Sequence, residues 1–132
     1  MADVREVELT TQTADVTLTT TSETAIVNTP EVVVPAQTTR VLVLAWGQLT
    51  TGAGTTTVTP RIRRGTTTAG ALVGEANAET VKAAAGSTEP FFIMASEERA
   101  DVDRVQYVLT LAQAGATADG TALQAGIIVL VL

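Results

Sequence analysis

The sequence predicts an all-β domain: a two-sheet jelly-roll sandwich of about eight antiparallel strands with an extended N-terminal arm. Three observations predict it. Thr, Ala and Val make up nearly half of the 132 residues, at 25, 21 and 17 copies, and Thr and Val are β-branched residues that favour strands. Helical periodicity is almost absent, and one helical turn at Ser96–Ala100, with Ser96 as N-cap, is the clearest exception. Short runs of alternating or continuous apolar residues recur between Gly, Thr, Asn and Asp clusters, which is the pattern of many short strands joined by turns. Eight strands in about 115 residues fit a jelly roll. An immunoglobulin-like sandwich fits the spacing too, but its Cys–Trp–Cys core is missing.

Residues 1–14 read as the arm. Val4, Val7 and Leu9 stand among charges there. Three spaced apolar side chains cannot offset the ordering of their own backbone, at about 1–2 kcal/mol per residue. The arm is therefore expected to be flexible in an isolated monomer and to add as a strand to a neighbouring subunit or a capsid. Residues 15–132 form the domain. Asp15–Thr20 and Thr24–Asn28 alternate, and Pro30 and Pro35 bracket a short edge piece at Glu31–Val34. Arg40–Leu49 is apolar on both faces, with Val41, Val43 and Ala45 on one and Leu42, Leu44 and Trp46 on the other. Such a strand is central or lies at a subunit interface.

Thr55–Arg64 sends Val58, Pro60 and Ile62 inward and Thr57, Thr59, Arg61 and Arg63 outward. Pro60 has no N–H, so a free edge or a bulge is expected beside it. Short strands follow at Ala71–Glu75 and Thr80–Ala85. Glu89–Ala95 places Phe91, Ile93 and Ala95 on one face and Phe92 and Met94 on the other. Arg104–Gln113 aligns Val105, Tyr107, Leu109 and Leu111. Asp119-Gly120 signals a turn before a long strand at Ala122–Leu132, with Leu123, Ile127, Val129 and Val131 on one face.

The chain holds no His and no Cys. Ser-His-Asp and Cys-His catalysis, disulfides and nearly all zinc and copper sites are thereby excluded. A net charge of −6 opposes non-specific nucleic-acid binding. No run approaches the ~20 apolar residues of a membrane span, and the first residues lack the apolar region of a secretory signal. Glu97, Glu98, Asp101 and Asp103 invite a calcium loop, but their spacing is not that of an EF-hand and Arg99 and Arg104 stand among them. Glu75 with Glu79, or Glu97 with Glu98, lacks the aromatic platforms of a glycosidase cleft. The expectation is no enzyme, no cofactor and no metal.

Arg61, Arg63 and Arg64 read either as a docking patch or as partners for carboxylates of the same chain, and the net negative charge favours the second. Trp46 shares a face with Leu42 and Leu44 and reads as a core or interface anchor. Mean hydropathy of +0.29 means that many Thr and Ala are buried or that another chain covers apolar surface. The oligomer or capsid interface is expected to draw on Val4, Val7, Leu9, Trp46, Arg61, Arg63, Arg64, Ile128 and Leu130.

The stretches from Val41 to Gly47, from Thr55 through Arg61 to Glu75, and from Gln106 to Leu111 resemble small β-rich virion proteins of tailed bacteriophages, in particular head-decoration (cement) proteins and related jelly rolls. The resemblance spans residues 15–132. It implies a homotrimer that sits on the major capsid protein of a virion, braces the head against internal DNA pressure and does no chemistry, after synthesis in the host cytoplasm. A tail, fibre or baseplate domain is the alternative within that class. A carbohydrate-binding module is the alternative outside it, and two or more outward aromatics would be its mark.

Overall fold

The computed structural model describes residues 6–19, 22–34, 40–51, 54–76, 79–82, 88–98, 103–114 and 120–132. In chain order the strands are β1 (Glu6–Thr11), β2 (Val16–Thr17), β3 (Glu23–Asn28), β4 (Val32–Val34), β5 (Val41–Thr51) and β6 (Thr55–Arg64). They continue as β7 (Leu72–Glu75), β8 (Glu79–Lys82), β9 (Thr88–Glu97), β10 (Asp103–Val105), β11 (Tyr107–Ala114) and β12 (Gly120–Val131).

The fold is an antiparallel sandwich, as the composition predicts. Sheet I has the order β1-β12-β5-β9, with β2 also pairing β12. Sheet II has the order β3-β11-β6-β7, with β8 also pairing β6. A separate ribbon joins β4 to β10. Alternation sorts the side chains. Val41, Val43, Ala45 and Leu49 of β5 face Ile62, Tyr107, Leu109 and Leu111 of sheet II within one buried cluster, to which the ribbon adds Val32, Val34 and Val105. With so few aromatic residues, aliphatic side chains fill nearly all of this space.

Pro60 sits where the sequence allows it. Next to β6, the pairing with β8 ends at Val58 and that with β7 begins at Arg61, so Pro60 falls in the gap between two partners. Its carbonyl still accepts a hydrogen bond from Ala76 N at 3.0 Å. No N–H is missed there.

Four local readings are corrected. Residues 6–11 of the expected arm pair along β12 of the same chain, from Glu6↔Val131 to Thr11↔Gly126. They form an edge strand of sheet I rather than a segment off the domain body, while Val4 lies outside the described residues. The helical turn expected at Ser96 is absent: Ser96 and Glu97 continue β9 opposite Leu42 and Val41, and residues 99–100 lie outside the described residues. Of Asp15–Thr20, only Val16–Thr17 pairs as a strand. The fourth correction concerns β12. Leu123 pairs Gln48 and Gly126 pairs Trp46, so two residues of β12, Gln124 and Ala125, oppose Gly47 alone. This bulge reverses the alternation. Before it the even-numbered Ala122 faces the core, after it the odd-numbered Ile127, Val129 and Val131 do. Leu123 therefore does not share their face.

The bulge is held by Gln12. Its backbone N–H donates to Ala125 O at 2.8 Å. Its side-chain oxygen accepts from Ala125 N at 2.7 Å, and its amide group donates to Ala122 O at 3.1 Å and Ala14 O at 2.6 Å. Gln124 takes a left-handed φ of 50°, which costs a non-glycine residue. Gln12→Ala is expected to lower the free energy of unfolding by about 2 kcal/mol, because Ala125 N is left unpaired in a buried position. Urea unfolding of the two proteins measures this, and an unchanged midpoint would show that water replaces the amide without cost.

Candidate functional site: the outer face of sheet I

The two sheets differ on their outward faces. That of sheet II is charged and closed. Arg61 and Arg63 lie over Thr110 and Val108, their register partners on β11, and both of these are buried. The guanidinium groups converge on Glu23 of β3: Arg61 Nη1 lies 2.5 Å from Oε1, and Arg63 Nε 2.5 Å from Oε2. Arg61 Nε also reaches Glu75 Oε2 at 2.7 Å. Burial pushes the Glu23 carboxyl up, but hydrogen bonds from Arg63 and Arg61 and the charge of Arg63 outweigh it. The carboxyl is held at about 2, against an ordinary 4.5. Arg64 pairs with Glu97, whose other oxygen accepts a 2.5 Å hydrogen bond from the buried Tyr107 hydroxyl. Each of the three arginines is thus matched by a carboxylate of its own chain, the arrangement that the acidic balance favours.

The outward face of sheet I carries no charged residue in the rows that run from Leu9 on β1 across β12 and β5 to Met94 and Phe92 on β9; at its end Arg40 pairs with Glu98 and donates to Ser96 Oγ at 3.2 Å. Register builds it in rows. Leu9 stands opposite Ile128, Ile128 opposite Leu44, and Leu44 opposite Met94. In the next row Val7 pairs Leu130, Leu130 pairs Leu42, and Leu42 pairs Ser96. On the other side Gly126, Trp46 and Phe92 follow one another. Leu42, Leu44, Trp46, Ile128 and Leu130 are half-buried. Leu9, Phe92 and Met94 are 56%, 58% and 60% exposed. Gly126 has a specific part here, because a side chain at that position would collide with the Trp46 indole. The ring lies against the strand at Gly126.

Five of the residues expected at an interface, Val7, Leu9, Trp46, Ile128 and Leu130, therefore lie on strands of one sheet, and four of them show their side chains on one face. Arg61, Arg63 and Arg64 lie on the other sheet. Phe92 and Met94 are the additions. Their signal was the two-sided pattern of Glu89–Ala95, as strong as that of Arg40–Leu49. Among the described residues no group of three or more acidic side chains is placed to hold a metal ion. Glu97 and Glu98 are engaged by Arg64 and Arg40, and Asp101 lies outside the described residues.

No protein-family model matches the chain, and no curated protein sequence does. Solved structures do match. The VP2 subviral particle of infectious bursal disease virus superposes with a TM-score of 0.61 over 98% of this chain, at 8% identity. T=1 particles derived from infectious bursal virus give 0.61 over 98%, at 10% identity. The chain shares its fold with proteins of virus particles. It spans about a third of their length, 34% and 33% respectively. The Eiger TNF of S. frugiperda is similar as well, with a TM-score of 0.52 at 9% identity over 96% of this chain and 91% of that one. At such identities the likeness is one of fold, which hosts unrelated functions.

Proposed function

We propose that the protein is a virion structural protein: a decoration or cement protein that forms a homo-oligomer, expected to be a trimer, on the surface of a phage capsid. The observation that carries this reading is the apolar face of sheet I on a domain without a catalytic constellation among its described residues. Apolar patches of this extent on soluble domains mark interaction sites. The fold shared with virus-particle proteins supports the same reading, as does the resemblance of Val41–Gly47 and Arg61–Glu75 to decoration proteins. The work done is mechanical. Rigid strands present a surface, and bound copies tie neighbouring capsid subunits together.

Mixing the protein with purified phage capsids that lack their decoration protein tests this. Saturable co-sedimentation and a higher temperature of capsid disruption are the expected results. Neither appearing across capsids of several phages would refute capsid decoration.

A carbohydrate-binding module is the second reading. Trp46 and Phe92 are direct cross-strand partners on the outward face, the aromatic pair that such a module needs. Their neighbours Leu44 and Met94 supply no hydrogen bonds to sugar hydroxyls, which weighs against it. A change in Trp46 fluorescence on titration with simple glycans would favour it over the virion reading.

A further inference from the structure

We infer that the outward face of sheet I is where copies of this chain meet, with Trp46, Phe92 and Met94 at the contact. The inference rests on the reading of the protein as an assembling one, and it names the partner and the surface. Three features select a second copy as the occupant. The first is charge. The chain carries −6 overall, so a basic partner would be drawn to its carboxylates, yet the rows from Leu9 to Met94 and from Gly126 to Phe92 have none, and the one at their end, Glu98, is paired with Arg40. Two copies repel wherever their acids approach, and an uncharged face is where that repulsion is least.

The second is area. Three rows about 7 Å apart across four strands about 4.8 Å apart give about 400 Å² before side-chain relief is counted, about half of the ~800 Å² that each partner buries in a specific interface, and the projecting Leu9, Phe92 and Met94 add to it. The third is continuity. The Trp46 indole covers Gly126, and the row of Leu9, Ile128, Leu44 and Met94 crosses all four strands with an apolar residue on each. A continuous apolar surface is best covered by another of its kind, and a second copy brings one. The most exposed side chains, Phe92 and Met94, stand on the end strand of the sheet, where they reach furthest toward a neighbour.

Light scattering at about 50 µM is the test, on the full chain and three variants. The wild type is expected at a multiple of 13.6 kDa. The double variant Phe92→Glu, Met94→Glu is expected at one copy, with Trp46 emission moved to longer wavelength as the ring meets water. Leu9→Glu, on the far strand of the same face, should weaken association at least tenfold. All these positions are exposed within the single chain, so the far-ultraviolet spectrum should keep its sheet form. Leu72→Glu is the control: Leu72 is 51% exposed but stands on sheet II, and its mass should stay that of the wild type.

A wild-type mass of 13.6 kDa, or a double variant that keeps its assembly, overturns the inference. So does dissociation by Leu72→Glu alone. The outcome is separable from that of the capsid experiment. Oligomers that dissociate on Phe92→Glu, Met94→Glu but ignore capsids uphold this inference and refute decoration. Monomers that bind capsids through the same face do the opposite.

Discussion

Glu23→Gln is expected to lower the free energy of unfolding by about 3 kcal/mol at pH 7 and to flatten its decline in acid. Glu23 is 14% exposed and holds two guanidinium groups. Its carboxyl titrates at about 2 in the folded chain against 4.5 ordinarily. Each unit of difference is worth about 1.4 kcal/mol between the protonation states. The folded value is the lower one, so this stabilisation is complete above about pH 5, declines as the pH falls, and is gone below about pH 2. Glutamine keeps the shape and part of the hydrogen bonding but not the charge. Arg61 keeps Glu75, and Arg63 keeps the Gly70 carbonyl, so the sheet should still form. Urea midpoints for both proteins between pH 2 and pH 7 measure the effect. Parallel curves would show that the acid sensitivity arises elsewhere.

Gly47→Ala is expected to cost about 2–3 kcal/mol, far more than Gly→Ala on an open strand. Gly47 is buried on β5 directly opposite Phe91. An added Cβ would lie 2.7 Å from Cε1 and Cζ of the Phe91 ring and 3.1 Å from Ala125 Cβ. Phe91 is itself buried, so the ring can move only by displacing the core, the usual cost of overpacking. The second-site change Phe91→Leu should recover part of the loss. The two substitutions are expected to couple by at least about 1 kcal/mol in a double-mutant cycle. Additive effects would mean that the ring moves aside freely.

Much of this architecture is legible in the sequence because alternation is a strong signal where one face is buried. Thr55–Arg64 is a strand with the bounds that its turn residues suggest, and the inward and outward sets of β5 and β9 are those that their pattern predicts. Trp46, Ile128 and Leu130 share one face for the same reason. What pattern cannot carry is any event that depends on a distant partner. The reversal at Gln124 answers to Gln12, more than a hundred residues earlier. The placement of β1 depends on β12. The Ser96 region has a good local helix start, yet Glu97 is fixed in the strand by Arg64 and Tyr107. Charge balance points Arg61 and Arg63 to carboxylates of the same chain, but it does not point to Glu23 as the single acid they share.

The order of sheet I has a consequence for how the chain acquires it. β12 lies between β1 and β5, so a strand near the N-terminus and one in the first half of the sequence have no common neighbour until residues 120–131 are available. During synthesis β1 and β5 leave the ribosome with their pairing edges open, and β5 brings an apolar stripe on each side. Contacts of such long sequence separation form slowly. Completion of sheet I therefore waits for β12, and nascent or truncated chains lacking it are the species most exposed to strand-to-strand aggregation. In a cell making many copies at once, the interval between synthesis of β5 and arrival of β12 sets how much of the protein needs chaperone protection.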